Sequence, residues 1–398
     1  MTNAPRPTIR LRPNRPPDAL RHGAPWAYAD QLVLDRRARG IAPGSIVRLE
    51  DASRAFVATG AFNPQSKIAF RVLDRAEDAS IDAAWFERRL RHALALRERL
   101  FPEPFYRLVH AEADGLPGVV VDRFGTVAVA QPNAAWAERV LPALSDALAR
   151  LPGVETIYKN AAGRTRALEG LDDRSQALRG DAPGVVDVPM NGAVYRADLA
   201  GGQKTGLYFD QRANQAFAAT FAAEARVLDV FCHVGGFALA ALAAGARSAL
   251  GIDQSAAALD LARYGAEKSG VADRFTARQG DAFQAMEALA AEGAAFDLVI
   301  CDPPAFAPSK SALEAGLRAY EKVARRAAGL VAPGGILVLC SCSHAADLAK
   351  FRTVSLRGVG KAGRAAQIVH TGGAGPDHPV HPALAETAYL KALFLRLD

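Results

Sequence analysis

Residues 227–237 read V-L-D-V-F-C-H-V-G-G-F, and this stretch decides how the rest of the chain is interpreted. It begins as a short apolar strand that carries one acidic residue, Asp229. Two glycines then precede an alanine-rich segment, 238–244, which favours a helix. A strand, a glycine loop and a helix in this order place bare backbone N–H groups at a helix start, where a ligand can approach closely. The stretch therefore predicts a ligand-binding loop.

Three further predicted strands are each followed by an acidic residue, first Asp253, then Asp281 and then Asp302. In doubly wound sheets ligands bind at the carboxyl ends of the strands, and an acid about 20 residues after the first strand typically binds a ribose hydroxyl. Asp253 fits that role, and Asp281 could accept a hydrogen bond from an exocyclic amine. The loop lacks the G-x-G-x-x-G pattern that cradles a pyrophosphate. The four loops together predict S-adenosylmethionine as the cofactor.

Composition limits the classes of protein to which the chain can belong. The 398 residues are 50% hydrophobic and 23% charged, as is ordinary for a globular protein of two or three domains. No apolar run approaches the roughly 18 residues of a membrane span, and the Pro- and Arg-rich start lacks the apolar core of a signal peptide. The cysteines form no C-x-x-C pair, which favours reduced thiols in a cytoplasm over disulfides or a zinc site.

The positive charge is concentrated at one end of the chain. Residues 1–75 contain 13 Lys and Arg but only 6 Asp and Glu, a net charge of +7, whereas the rest of the chain has a net charge of −1. A localised basic face is the electrostatic signature of a protein that binds phosphate backbones. Charge alone does not separate this interpretation from a general bias toward Arg and Ala, which is visible throughout the sequence.

The first half of the chain predicts two small units. Residues 8–75 contain short strands at close spacing, which are typical of a small barrel, and a helix follows over 81–101. The arginines of that helix could contact RNA, but such charges more often lie on an outer helix face that is exposed to solvent. Residues 105–200 predict strands around a single helix, 134–150.

From about residue 203 strands alternate with Ala- and Leu-rich helices, which predicts a parallel sheet with helices on both faces. Only five strand–helix units are present, so we expect an open sheet, seven-stranded once the tail is included, and not a TIM barrel. The predicted strands are 226–231, 248–253, 274–278, 296–302, 335–341, 366–370 and 386–397, and the predicted helices are 210–223, 236–244, 255–269, 282–291 and 311–331.

Cys342 follows the fifth of these strands, within the segment C-S-C-S-H at 340–344. Methyl transfer to a lone pair needs no nucleophilic side chain, but carbon 5 of a cytosine is unreactive until a thiolate adds to carbon 6. A thiolate at neutral pH needs nearby positive charge, which His344 or a Lys or Arg could supply. The other three cysteines are expected to be buried structural residues: Cys232, Cys301 and Cys340.

A glycine-rich segment, 201–212, precedes the first parallel strand and reads G-G-Q-K-T-G-L-Y-F-D-Q-R. This composition predicts a loop that leads into a helix, with Asp210 as the helix N-cap. Lys204 and Arg212 are expected to face either the cofactor or RNA.

With these motifs the chain resembles the class I S-adenosylmethionine-dependent ribosomal RNA methyltransferases, and most closely the large-subunit 5-methylcytosine methyltransferase I family. The matching segments are K-T-G-L-Y-F-D-Q-R (204–212), D-V-F-C-H-V-G-G-F (229–237), D-P-P-A-F-A (302–307), C-S-C-S-H (340–344), D-H-P-V (377–380), E-T-A-Y-L-K (386–391) and, upstream, E-A-D-G-L-P-G-V-V-V-D (112–122). The resemblance implies an α/β fold, with a Rossmann-like S-adenosylmethionine methyltransferase domain over 201–398. A small β-rich PUA-like RNA-binding domain over 1–76 and a central α/β domain over 77–200 would precede it.

The resemblance also implies roles for individual residues. Cys342 would be the nucleophile, and Asp302 would contact the cytosine ring as well as the cofactor. Ala305 stands where many RNA 5-methylcytosine enzymes carry a second Cys, so the base that removes the carbon-5 proton is not assigned. The cofactor would be held by Gln211, Arg212, Asp229, Phe231, His233, Gly235, Gly236, Asp253, Asp281 and Asp302.

The resemblance further implies a ribosomal RNA substrate, 23S in particular, with no metal ion and a cytoplasmic location. A homodimer is left open as an alternative to a monomer. Other functions also remain open on sequence alone: methylation of guanine or of an exocyclic amine, which would not need Cys342, and a non-catalytic role in RNA binding or ribosome assembly. A small-molecule methyltransferase is a further alternative, against which the basic N-terminal segment argues.

Overall fold

The computed structural model describes residues 6–201 and 206–398, and their contacts group them into two units. Within this described part of the chain, no helix is both long and apolar enough to cross a membrane. The domain boundaries expected near residues 76 and 200 stay a prediction. The described residues of the first unit come from Met1–Gly184, Leu199–Gly206 and Pro379–Ala385, and those of the second from Val185–Asp198, Leu207–His378 and Glu386–Asp398.

The first unit begins with a small β-rich fold. Its elements in chain order are β1 (Thr8–Arg10), α1 (Asp18–Arg21), β2 (Trp26–Ala27), α2 (Arg36–Arg39), β3 (Ser45–Glu50), β4 (Phe56–Phe62) and β5 (Phe70–Asp74). The strands pair in the order β1-β3-β4-β5-β2. Val47 and Leu49 of β3 are buried, because alternate side chains of a strand point to the same face of the sheet. The predicted β-rich character of this segment is confirmed.

The remainder of the first unit is a second five-stranded sheet with its own helices. These elements are α3 (Ala83–Leu100), β6 (Phe105–His110), β7 (Val119–Phe124), β8 (Val127–Pro132), α4 (Ala135–Arg139), α5 (Leu141–Leu148), β9 (Thr156–Lys159), α6 (Arg164–Leu168) and β10 (Gln176–Arg179). The strands pair in the order β10-β9-β8-β7-β6. Phe86 of α3 is buried, and its ring stacks on that of Trp136 at 5.9 Å. Helix α3 therefore packs along one stripe and exposes its other face.

The prediction of a single helix over 134–150 is wrong. The chain breaks at Val140, whose φ and ψ of −109° and 20° lie outside the helical region, and α4 and α5 form on either side. Pro142 in the first turn of α5 accounts for the break, because proline has no N–H to donate to a carbonyl of the preceding turn.

The second unit begins with a hairpin and continues as a doubly wound sheet. Its elements are β11 (Val185–Met190), β12 (Ala193–Asp198), α7 (Arg212–Ala219), β13 (Arg226–Val230), α8 (Gly236–Ala243), β14 (Ser248–Asp253), α9 (Ala256–Lys268), β15 (Phe275–Gln279), α10 (Ala282–Ala291), β16 (Phe296–Cys301), α11 (Leu313–Ala328), β17 (Val331–Ser341), α12 (Leu348–Lys361), β18 (Ala366–Gly372) and β19 (Lys391–Leu397). The prediction for this part of the chain lacks one of these elements, α12.

Seven of these strands pair in the order β15-β14-β13-β16-β17-β19-β18. All neighbours are parallel except β19, which runs antiparallel to both β17 and β18. The predicted open seven-stranded α/β sheet is thus confirmed. Because the strand order reverses its direction between β13 and β16, a crevice opens at their carboxyl ends, and this is where such sheets bind ligands.

Candidate active site

The loop that follows β13 has an unusual backbone, because three alternate residues adopt left-handed conformations. Phe231, His233 and Gly235 have φ angles of 66°, 51° and 81°. Residues other than glycine rarely adopt this region, and such strain is concentrated at functional sites. The neighbouring strand holds the loop in place, since the backbone N–H of His233 donates to Asp253 Oδ2 at 2.9 Å. The predicted binding loop is therefore a fixed turn at the carboxyl end of β13.

Gly235 and Gly236 leave room for a ligand to approach the backbone closely at the start of α8. The positive φ of Gly235 is itself unfavourable for a residue with a side chain. A Cβ atom at Gly236 would lie 2.5 Å from the amide nitrogen of the Gln215 side chain, so glycine is also the residue that fits there. The two glycines thus form a bare backbone cradle at a helix N-terminus, as the sequence predicts.

Asp229 lies beneath this cradle and is fully buried. Its Oδ2 accepts a hydrogen bond from the Ala238 N–H of α8 at 2.9 Å, whereas its Oδ1 has no partner among the described residues. The pKa of Asp229 is raised to about 7, mainly because the carboxyl group is buried. The nearby charges of Asp302 and Asp253 contribute to this rise, and the hydrogen bond from Ala238 opposes it. The carboxyl group therefore fixes the loop to α8 and keeps one oxygen available to a donor.

Two of the other acidic side chains predicted to bind the cofactor, Asp253 and Asp281, also hold backbone in place. Asp253 accepts from the backbone N–H groups of Ser255 and His233, each at 2.9 Å, and so joins the first two loops. Asp281 is the N-cap of α10 and accepts from two N–H groups of its first turn, each at 3.0 Å. A carboxylate has about four lone-pair sites, so both side chains can still accept a hydrogen bond from a ligand.

Tyr208 is a site residue that the sequence interpretation missed. Its ring centroid lies 5.1 Å from that of His233, in an edge-on arrangement. The pKa of Tyr208 is raised to about 12, mainly by burial and in part by the negative charges of Asp210, Asp302, Cys342 and Asp253. Tyr208 therefore packs against the loop after β13, within electrostatic range of residues at the ends of β14, β16 and β17. The only signal for Tyr208 in the sequence is its position inside the segment 204–212.

Aromatic rings continue from the first loop to the Asp302 loop. The rings of Phe231 and Phe306 lie 6.5 Å apart, and those of Phe306 and Tyr320 lie 5.0 Å apart. Phe231 and Phe306 are half-buried, so part of each ring can face a ligand. Such rings offer flat surfaces on which a nucleobase can stack.

Cys342 directly follows β17 and is partly exposed, whereas Cys232, Cys301 and Cys340 are buried. Burial raises the pKa of each of these three thiols, so all three are inert protonated side chains at neutral pH. Their predicted burial is confirmed. Cys342 is therefore the one cysteine of the four that is not buried.

Ser343 connects the turn that carries Cys342 to the Asp302 loop. Its buried hydroxyl oxygen accepts from the Ala307 N–H at 3.0 Å and forms a second hydrogen bond with the Tyr320 hydroxyl at 2.7 Å. Its backbone carbonyl accepts from Lys391 Nζ at 2.7 Å. These bonds fix the position of Cys342 relative to the Asp-Pro-Pro segment.

The structure corrects the expectation for Asp210, which is not the N-cap of α7. Helix α7 begins without a side-chain cap, and Asp210 instead accepts from the Tyr389 hydroxyl at 2.6 Å. Gln211 is buried, and its side-chain oxygen Oε1 accepts a hydrogen bond from the Asn214 side-chain amide at 2.6 Å. Burial lowers the pKa of Arg212, and the charge of Asp377 opposes this effect. Lys204 lies outside the described residues.

His344 is exposed, and its Nδ1 lies 3.2 Å from the carbonyl oxygen of Glu386. Its ring also lies 5.4 Å from that of Tyr389. Both contacts fit a histidine that hydrogen-bonds to a surface loop. Among the described residues, no group of three or more His, Cys, Asp or Glu is arranged to hold a metal ion.

Comparisons with known protein families agree with this geometry. The model of S-adenosylmethionine-dependent methyltransferases matches residues 131–396. The model of a PUA-like domain matches residues 9–75, which cover the first β-rich sheet.

The chain is also similar over its whole length to proteins named ribosomal RNA large subunit methyltransferase I. The protein of Photobacterium profundum is 36% identical, covering 94% of this chain and 95% of the relative. The protein of Tolumonas auensis is 35% identical (98% and 99%), and that of Klebsiella pneumoniae is 33% identical (100% and 100%).

Two solved structures share the fold at lower identity. One is described as a SAM-dependent methyltransferase from Streptococcus mutans, with a TM-score of 0.81, 18% identity, and coverage of 98% of this chain and 100% of that one. The other is a methyltransferase complexed with SAH, with a TM-score of 0.82, 18% identity, and coverage of 99% and 100%. With the family models and the full-length relatives, the chain belongs to the S-adenosylmethionine-dependent methyltransferases, in the family of ribosomal RNA large subunit methyltransferase I.

Proposed function

We propose that the chain methylates carbon 5 of a cytosine in large-subunit ribosomal RNA, through a covalent bond to Cys342. The observation that carries this proposal is the placement of Cys342, which is partly exposed just after β17 and is fixed by Ser343 beside the Asp302 loop. The names of the full-length relatives, the PUA-like domain and the net charge of +7 in residues 1–75 support ribosomal RNA as the substrate.

The first loop of the sheet fits S-adenosylmethionine. The glycine cradle at 235–236 would be filled by a Cβ atom, and Asp229 Oδ1 is a buried acceptor without a partner among the described residues. The cradle lets a ligand approach the backbone closely, and the carboxylate oxygen suits a ligand group that donates hydrogen bonds. The residues that would hold it are Asp229, Phe231, His233, Gly235, Gly236, Asp253 and Asp281, with Gln211, Arg212 and Asp302 at the edge of the site.

When bound, S-adenosylmethionine supplies an electrophilic methyl group. The thiolate of Cys342 forms a bond to carbon 6 of the cytosine, and the electrons of the carbon 5–carbon 6 double bond make carbon 5 nucleophilic. Asp302 would bind the ring and hold carbon 6 over the sulfur. After methylation a base takes the carbon-5 proton, the double bond re-forms, and the electrons of the sulfur–carbon 6 bond return to Cys342.

Trapping with modified RNA tests this mechanism. In RNA that contains 5-fluorocytidine, carbon 5 carries no removable proton, so the bond to Cys342 persists and the adduct migrates slowly on a denaturing gel. The wild-type protein is expected to form the adduct only with S-adenosylmethionine, and Cys342→Ala is expected to form none. Cys340→Ala removes a buried sulfur two residues away and is the matched control, for which we expect an adduct.

Full turnover without any adduct would favour methylation of a guanine or an exocyclic amine. The nucleotide itself can be found by mass mapping of ribosomal RNA from cells that lack the gene. On this proposal the partner is 23S ribosomal RNA and the protein acts in the cytoplasm. A sedimentation measurement can distinguish a monomer from a homodimer.

A further inference from the structure

We infer that Lys391 is a positioning residue for the proposed reaction, and that its buried ammonium group keeps Cys342 ready to attack. This inference rests on the proposed function, in which Cys342 is the nucleophile. A cysteine attacks as its thiolate, and a thiolate is favoured by a fixed positive charge nearby. The segment E-T-A-Y-L-K carries this lysine at its end, and the mechanism described so far does not use it.

The position of Lys391 follows from strand pairing. Strand β19 begins at Lys391, which is the register partner of Ser341 at the end of β17. Cys342 is the next residue after Ser341. Because β19 is antiparallel, its amino end lies at the sheet edge where β17 ends, and Lys391 is thereby brought to the cysteine.

The ammonium group is fixed beneath the turn that presents Cys342. The residue is only 6% exposed, and its Nζ donates to the carbonyl oxygen of Ser343 at 2.7 Å. A buried lysine is unfavourable unless its charge has a counterpart. Burial lowers the pKa of Lys391, and the negative charges of the Cys342 thiolate and of Asp347 oppose this effect. By the same coupling, an ammonium at this position favours the thiolate.

Among the described residues, two phenols also interact with the charge of Cys342, and neither supplies positive charge. Tyr208, from the loop before α7, and Tyr320, from α11, have pKa values that burial raises first and the Cys342 charge raises further. Both phenols are therefore neutral at neutral pH. Asp302, which contributes to the raised pKa of Tyr208, is a carboxyl group and cannot supply positive charge. His344 is exposed and directed to the Glu386 carbonyl. Lys391 is a cation, and in the described part of the chain strand β19 places it beside this turn.

The pH dependence of alkylation tests the inference without RNA or cofactor. Iodoacetamide reacts with thiolates, and Cys232, Cys301 and Cys340 are buried, so peptide mass spectrometry can follow Cys342 alone. In the wild-type protein we expect the midpoint of the alkylation rate against pH to lie below the value of about 8.5 that is ordinary for cysteine. A wild-type midpoint at or above that value would overturn the inference without any variant.

Lys391→Met removes the charge at similar length and is expected to raise the midpoint by about one pH unit. The thiolate fraction at pH 7 then falls about tenfold, but the more basic thiolate is about threefold more nucleophilic, so the rate falls about threefold. Lys391→Arg keeps the charge and should keep the midpoint low. Lys268→Met removes an exposed charge from α9 and should change nothing. An unchanged midpoint in folded Lys391→Met would refute the inference, and if that variant does not fold, a raised midpoint in Lys391→Arg would do so.

The adduct assay separates this inference from the proposed function. If 5-fluorocytidine RNA is trapped on Cys342 while Lys391→Met leaves the alkylation midpoint unchanged, the function stands and the role of Lys391 fails. If the midpoint moves with Lys391 but no RNA is trapped, the thiolate is activated for a different substrate and the proposed cytosine chemistry fails.

Discussion

The burial of Asp229 predicts a pH dependence of stability that one substitution should remove. The carboxyl group is 0% exposed, and burial raises its pKa from 3.8 to about 7. Between these values the folded protein keeps a proton that the unfolded chain has already released. Stability therefore falls as the pH rises through this window. Asp229→Asn has the same shape and does not titrate, so its stability should not show this fall.

The magnitude follows from the two pKa values. With 3.8 for the unfolded chain and about 7 for the folded protein, the carboxyl group destabilises the fold by about 2 kcal/mol at pH 5 and about 4 kcal/mol at pH 8. Relative to the wild type, Asp229→Asn should therefore gain about 2–3 kcal/mol between pH 5 and pH 8. Its amide adds an offset that does not depend on pH, because its buried N–H groups lack a partner.

Hydrogen exchange measures this difference where it should occur. Exchange of the β13 amides in a urea series gives the unfolding free energy of the second unit at each pH, once the intrinsic exchange rates are divided out. Trp26, Trp85 and Trp136 are the only tryptophans and all belong to the first unit, so their fluorescence gives an internal control that should not change. Asp260→Asn alters an exposed carboxylate and should follow the wild type. A difference between Asp229→Asn and wild type that stays constant within about 0.5 kcal/mol from pH 5 to pH 8 would refute the reasoning.

Three further substitutions test other parts of the structure. Gly235→Ala places a side chain at φ 81° and should destabilise the second unit by about 1–2 kcal/mol and weaken S-adenosylmethionine binding in calorimetry, with Gly235→Asn affected less. Ser343→Ala removes two buried hydrogen bonds and should lower the unfolding free energy of the second unit by about 1–3 kcal/mol in hydrogen exchange. Ser355→Ala is its control, because that buried hydroxyl has no partner among the described residues and its loss should be near neutral. Asp82→Ala removes the N-cap of α3 and should destabilise the first unit by about 1 kcal/mol in tryptophan fluorescence. Equal stability of variant and wild type would contradict the expectations for Gly235→Ala, Ser343→Ala and Asp82→Ala.

The parts of the fold that the sequence predicts are those encoded locally. Four parallel strands of the second unit, β13 to β16, are each followed by a loop and an Ala- or Leu-rich helix, and this local order predicts the parallel part of the sheet. Helix α12, which follows β17, is not predicted from this pattern because it contains glycines, which are poor helix formers. At Gly358 a Cβ atom would collide with the Glu321 carbonyl oxygen of α11, so the glycine reflects tertiary packing that outweighs helix propensity.

The same distinction separates the site residues that the sequence suggests from those that only the structure brings together. Asp229 and Asp253 lie at the carboxyl ends of parallel strands, and Asp281, Asp302 and Cys342 come just after such strands. These ends all meet at one edge of the sheet, so the order of the five residues along the chain is enough to select them. Lys391 lies at the beginning of a strand, so a rule that selects residues at the carboxyl ends of strands does not identify it. Only the antiparallel direction of β19 brings a strand start to this edge, and there the lysine pairs with the residue before Cys342. In a sheet with one reversed strand, candidate functional residues should therefore be sought at the amino end of that strand as well.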